Sequence, residues 1–176
     1  MTRPGDGPRA PRFGALPAGL SRDNVVAAVR DALDAAVPEG AGVVIAVSGG
    51  PDSTALAHLV VEARPDLRAC VAHVRHGLRD DASDARVAAA HAAALGLAFH
   101  ESRVDVQVAG EGPEAAARRA RYAALSGVAR AVDGRWILLG HTADDQAETV
   151  LLNLARGTGI RGLAGMAPVR THDPAR

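Results

Sequence analysis

Apolar positions recur along the chain in two alternating rhythms. Val26, Val29, Leu33 and Val37 fall at the spacing of one helix face, and Pro38 and Gly40 end that run. Residues 43–47 (Val-Val-Ile-Ala-Val) are continuously apolar and rich in β-branched side chains, the pattern of a strand buried on both faces. A Ser-Gly-Gly-Pro-Asp turn follows, then a helix over 53–63 closed by Pro65. The same alternation predicts strands over 67–73, 98–104 and 136–139. It predicts helices over 83–95, stopped by Gly96, over 113–133, opened by Pro113, and over 143–155.

One helix followed by four strand–helix repeats defines an α/β domain with a mostly parallel sheet and helices on both faces. Ligands of such sheets bind beyond the C-terminal ends of the strands. The chemically informative residues fall there: 48–54 after the first strand, 73–79 after the second and 141–148 after the fourth. Residues 1–20 are rich in Arg, Pro, Gly and Ala without periodicity and predict a disordered tail, leaving 21–176 as the folded domain.

Composition narrows the chemistry. The 176 residues contain no lysine; all 20 basic side chains are arginine. Lysine nucleophiles, Schiff-base enzymes and Walker-type P-loops are therefore excluded, and a phosphate site must rely on backbone N–H groups, arginine and metal. Cys70 is the only cysteine, so no internal disulfide can form, which fits a cytoplasmic protein. Aromatic residues make up 2% and the net charge is zero. Neither an aromatic base-stacking platform nor a broad basic footprint for RNA is present.

The segment Ser48-Gly49-Gly50-Pro51-Asp52-Ser53-Thr54 joins a strand to a helix. Paired glycines let the backbone approach a ligand, and the helix that follows presents its positive end. Hydroxyls of Ser48, Ser53 and Thr54 can add donors. The plainer reading is a tight turn with Asp52 or Ser53 capping the helix. Following a hydrophobic strand, the segment resembles the PP-loop of the N-type ATP pyrophosphatases, which have the adenine nucleotide alpha hydrolase-like fold. The resemblance implies ATP cleavage to AMP and pyrophosphate with adenylation of a substrate. Ser48, Gly49, Gly50, Asp52, Ser53 and Thr54 would hold the pyrophosphate, with Asp52 also serving magnesium.

Four further segments are similar to motifs of the tRNA(Ile)-lysidine synthetases. His76-Gly77-Leu78-Arg79 follows the second strand, and Arg75 before it is left without a role. Arg118-Arg119-Ala120-Arg121-Tyr122 lies on a helix where Glu114, Arg118 and Tyr122 share one face. Taken alone, such a face is solvated surface. His141-Thr142-Ala143-Asp144-Asp145-Gln146-Ala147-Glu148-Thr149 places three acids at a helix start, more than complementing the helix dipole needs. The segment from Arg156 to Met166 holds four glycines within nine residues, Gly157 to Gly165.

In that family resemblance, ATP and magnesium are the cofactors, and the partners are an isoleucine tRNA with a CAU anticodon and free L-lysine. His76, Arg118, Arg121 and His141 join the nucleotide site, and Asp144 joins Asp52 at the metal. Asp145 and Glu148 hold the ammonium groups of lysine. Arg79, Arg121, Arg156 and Arg161 face RNA. Asp52, Arg118, Asp145 and Glu148 carry the reaction. The resemblance implies a cytoplasmic enzyme without a membrane partner and is compatible with a homodimer. The family's C-terminal tRNA-binding domains have no counterpart in these 176 residues, so this domain is expected to bind ATP and to bind tRNA weakly. Two other readings compete: a tRNA thiolase of the same superfamily, and a non-catalytic nucleotide-binding module. Thiolases bring paired cysteines, and a degenerate module would have lost Asp52 or its serines.

Overall fold

The computed structural model describes residues 21–75, 82–105, 112–158 and 164–169. The expected tail lies outside the described residues, as do His76, Arg79 and Arg161. The described elements run α1 (Arg22–Asp34), β1 (Gly42–Ala46), α2 (Pro51–Ala63), β2 (Arg68–Arg75), α3 (Ala82–Ala94), β3 (Ala98–Arg103), α4 (Pro113–Ala131), β4 (Trp136–Leu139) and α5 (Ala143–Ala155).

The four strands form one parallel sheet in the order β3-β2-β1-β4. Every strand predicted from the pattern is present, and the helices do cover both faces. Val43, Ile45 and Val47 face one layer, a core shared with Leu33 of α1, Ala57 and Val60 of α2, and Ala88 and Ala92 of α3. Val44, Cys70 and Ala72 face the other, against Leu125, Val128 and Ala129 of α4. β1 therefore lies in the middle of both cores, which is why its sequence is apolar without alternation. The chain steps outward from β1 to β2 to β3, then α4 carries it back across the opposite face to β4. The direction of winding reverses between β1 and β4, and ligand sites form in the crevice at such a reversal.

Several boundaries shift by one or two residues from the sequence pattern, and two of these shifts have a clear local cause. α2 begins at Pro51 rather than at Ser53, because Gly50 is its extended N-cap and Pro51 occupies the first turn, where a missing N–H costs nothing. β2 continues to Arg75, since His73 and Arg75, though polar, pair in register with Glu101 and Arg103 of β3.

At the N-terminal edge of the sheet the buried Arg64 guanidinium donates to Asp34, to both carboxylate oxygens of Asp66 and to the carbonyls of Val37 and Pro38. This closes the end of α2 onto the turn between α1 and β1. α3 is tied to α2 by a hydrogen bond of 3.0 Å between His58 Nε2 and His91 Nδ1. α5 contributes no buried side chain, and Leu151, Leu152 and Leu154 are exposed.

Candidate functional site

Two loops flank the reversal point: residues 47–50 after β1 and 140–142 after β4. Backbone contact holds them together. A Cβ at Gly140 would stand 2.9 Å from Ser53 Cα and 3.1 Å from Ser53 N, so only a glycine lets the end of β4 rest on the first turn of α2. The amino ends of α2 and α5 are thereby neighbours. A third element joins from the other side: Gly49 has φ +91°, and a Cβ there would fall 2.7 Å from Asp84 Cβ in the first turn of α3. Neither Gly140 nor Asp84 stands out in the sequence, because a close approach is a property of the fold and leaves no local pattern.

The two neighbouring helix ends differ in one decisive way. α5 is capped: Thr142 Oγ1 accepts from Asp145 N, and the Asp145 carboxylate accepts from Thr142 N at 2.7 Å. α2 has glycine at its N-cap and no side-chain cap bond. Its first-turn N–H groups and helix dipole are left to serve an anion. The plainer sequence reading, with Asp52 or Ser53 as the cap, does not describe this helix.

The loop itself is braced from within. Ser48 N donates to Ser53 Oγ at 3.1 Å, and the two serine hydroxyls stand 3.1 Å apart. The hydroxyls of Ser53 and Thr54 are both directed at the Gly50 carbonyl, at 3.1 and 2.9 Å. Asp52 is exposed in the first turn of α2, pointing no ion pair toward its neighbours among the described residues.

On α5, Asp144 and Glu148 are exposed and lie four residues apart, hence on one side of the helix. Asp145 is half-buried. The Thr142 backbone N–H, then its hydroxyl, hold the Asp145 carboxyl below the usual carboxylate range, with His141 Nδ1 at 3.8 Å adding to the effect. Its Oδ2 is thus committed to the cap, while Glu148 has no such commitment. Gln146, passed over in the sequence, pins the glycine-rich segment: its Oε1 accepts from Met166 N at 2.7 Å, and a Cβ at Gly165 would land on its side-chain amide. The chain thus returns from the far end of α5 to lie beside its first turn.

Among the remaining expected residues, Arg118 and Arg121 sit in the first half of α4. This helix enters from the C-terminal side of the sheet but on the face opposite α2. The Arg118 guanidinium lies 5.8 Å from the Tyr122 ring centroid, so the shared face drawn from sequence holds a cation–π contact. Arg156 caps the distal end of α5, about 20 Å along the helix from Asp144. A groove of about 800 Å³ runs along β3 and α4, lined by Glu101, Arg103, Ala124 and Gly127, two strands away from the reversal point.

The described residues hold no group of three or more His, Cys, Asp or Glu side chains placed to bind a metal. Asp52 and Asp144 are exposed in the first turns of α2 and α5.

Parallel order β3-β2-β1-β4, a glycine-bearing loop at the reversal point and an uncapped helix behind it define a phosphate-binding α/β domain. The sequence matches the PP-loop domain family over residues 23–175, and the chain belongs to that family. It is 53% identical over 132 residues to the tRNA(Ile)-lysidine synthase of Mycolicibacterium paratuberculosis, covering 74% of this chain and 38% of that protein. It is 50% identical to the tRNA(Ile)-lysidine synthase of Salinispora tropica, covering 80% of this chain and 44% of that one. The chain therefore spans less than half the length of these relatives. Among solved structures it resembles the U34-tRNA thiolase of Methanococcus maripaludis, solved with its 4Fe–4S cluster. The TM-score is 0.65 at 22% identity, over 79% of this chain and 52% of that one, a likeness of fold.

Proposed function

We propose that this domain cleaves ATP between the α and β phosphates and serves as the adenylating part of a tRNA(Ile)-lysidine synthase. The observation that carries the reading is the contrast between α2, uncapped behind the Gly49-Gly50 loop, and α5, fully capped beside it. Half-identity to named lysidine synthases supports the choice within the family.

In this reading the pyrophosphate lies on the N–H groups of the loop and the first turn of α2. The Ser48 hydroxyl and the helix dipole oppose the negative charge that grows on the leaving group. Magnesium, held by Asp52 and Asp144, would supply further charge neutralisation. His76, His141, Arg118 and Arg121 would complete the nucleotide site. The wobble cytidine oxygen of the isoleucine tRNA attacks the α-phosphate and releases pyrophosphate. An amine of free lysine then adds at carbon 2 and AMP leaves. Glu148, and the part of Asp145 not used by the cap, would hold lysine's positive charge and orient the attacking amine. Arg79, Arg121, Arg156 and Arg161 would contact RNA phosphates. Tight, selective tRNA binding would come from portions of the relatives that lie beyond the matched region.

The thiolase alternative is disfavoured by Cys70. It is buried within β2, and burial pushes its thiol up, away from the reactive thiolate. Separation of the products from α-labelled ATP with magnesium, lysine and isoleucine tRNA tests the proposal. AMP is expected, ADP overturns it, and Asp52→Ala should abolish turnover without lowering Tm.

A further inference from the structure

We infer that His73 is a positioning residue of the PP-loop, fixing the peptide plane from which the loop leaves the sheet. The inference rests on the ATP-cleaving reading above. His73 lies near the C-terminal end of β2 and is 2% exposed; Val47, beside it, is 1% exposed. The β1–β2 ladder pairs Ala46 with Ala72 and runs one step further, with Val47 N donating to Ala72 O at 2.9 Å. There the backbone pattern is replaced by a side chain: the Val47 carbonyl accepts from His73 Nδ1 at 2.7 Å. A carbonyl only accepts, so Nδ1 carries the proton.

The other half of the same peptide is also held. Ser48 N donates to Ser53 Oγ at 3.1 Å. A peptide unit is a rigid plane, so an anchor from β2 on its carbonyl and one from α2 on its N–H together fix its orientation. The next two residues are Gly49 and Gly50, which offer the least resistance to rotation of any in the chain. The plane before them sets where their N–H groups aim.

The second nitrogen shows what the ring is for. His73 Nε2 is buried and has no hydrogen-bond partner among the described residues. A buried polar atom left unmatched works against folding. A leucine in the same space would avoid that cost, on the sheet face already lined by Val71 and Val47. What an imidazole adds over leucine here is a single used bond, and that bond ends on the residue preceding the loop.

Two substitutions separate the bond from the bulk. His73→Leu removes the donor and the unmatched nitrogen while keeping an apolar filling. His73→Asn keeps an N–H donor at the place of Nδ1. Calorimetric titration of the 176-residue chain with magnesium-ATP, alongside thermal melts, should give H73L a Tm equal to or above the parent. Its ATP affinity should be roughly three- to tenfold weaker. H73N should bind within about twofold of the parent, the cost of one imperfect hydrogen bond. Parent-like ATP binding by H73L overturns this inference alone, and so does failure of a folded H73N to restore affinity. Failure of the parent to bind ATP overturns the ATP reading and this inference with it. A readout independent of both variants is the imidazole ¹⁵N–¹H correlation spectrum of the parent. The δ-protonated tautomer is expected for His73, and the ε tautomer overturns the assignment.

Discussion

Gly140 bears directly on Ser53, backbone to backbone, at a distance that leaves no space for a methyl group. Ser53 Cα and N belong to the first turn of α2 and cannot swing aside as a flexible side chain would. Gly140→Ala must therefore push the β4–α5 connection off the PP-loop helix, at a cost of about 1–3 kcal/mol. Turnover of ATP should fall at least tenfold, beyond what the drop in Tm explains, since two halves of one site are being separated (roughly a 1 Å misplacement is worth about 10²-fold). Gly127→Ala is the control. A Cβ there meets nothing within 4 Å, so that variant should melt at the same temperature or slightly higher and keep full ATP cleavage.

Two of the three acids of α5 differ in their commitments: Asp145 is held in the cap and Glu148 lies outside it. Thr142→Ala removes the cap shared with Asp145 and should cost about 1 kcal/mol, or roughly 2–4 °C in Tm. Glu148→Gln, at an exposed position outside the cap, should leave Tm unchanged and raise the KM for lysine well above any change in the KM for ATP. Steady-state kinetics with each substrate varied in turn checks this. Equal losses for both substrates would move Glu148 from lysine to magnesium.

Cys70 should be dispensable. It is buried in the core shared by Val44, Ala72 and Leu125, on the α4 side of the sheet. Cys70→Ala should cost about 1 kcal/mol or less and leave the rate of base modification within about twofold, an effect too small to be chemical. Loss of modification with ATP cleavage intact would favour the thiolase reading.

Acid should weaken the Arg64–Asp66 anchor at the N-terminal edge of the sheet. The Arg64 guanidinium, then the Gly40 N–H, hold the Asp66 carboxyl well below the usual carboxylate range. A depressed folded value means stability that is present above the unfolded value near 4 and is lost as the pH falls below it. Asp66→Asn should therefore lower Tm at pH 7, and the gap from the parent should close as the pH drops through the carboxylate range. Melts at a series of pH values measure the gap directly.

For RNA the arginines set a ceiling. If Arg79, Arg121, Arg156 and Arg161 are the RNA contacts, as proposed, they would give roughly four phosphate contacts, and log affinity against log salt should be no steeper than about −4. Filter binding of the isoleucine tRNA across salt concentrations should show weak binding with little preference over other tRNAs. Tight and selective binding by these 176 residues would place the recognition surface elsewhere.

What the sequence discloses here is what has a period. Every strand and helix was legible because Val43 to Val47, or Val26, Val29 and Leu33, repeat in one of two rhythms. The loop motifs were legible because glycine and acid pairs are conspicuous where a strand meets a helix. Contacts between distant segments carry no such mark. Gly140 on Ser53, Asp84 on Gly49, and Gln146 on Met166 each join residues at least 20 positions apart, and nothing in the local sequence tells which distant residue each one meets. Asp145 illustrates the opposite limit. The motif drew attention to its charge, but only the structure shows that one carboxylate oxygen is spent on its own helix.

The central place of β1 also governs when the site can first exist. Its pairing with β2 closes over a short stretch of chain, yet its other edge waits for Trp136 to Leu139, with Val43 meeting Trp136 across 93 intervening steps of sequence. Such a non-local pairing must bear its loop-closure entropy before any contact compensates it. During synthesis the PP-loop is therefore expected to hang from a three-stranded sheet until β4 has emerged. Nucleotide affinity is expected to appear late in the folding of this domain, once β4 has joined the sheet.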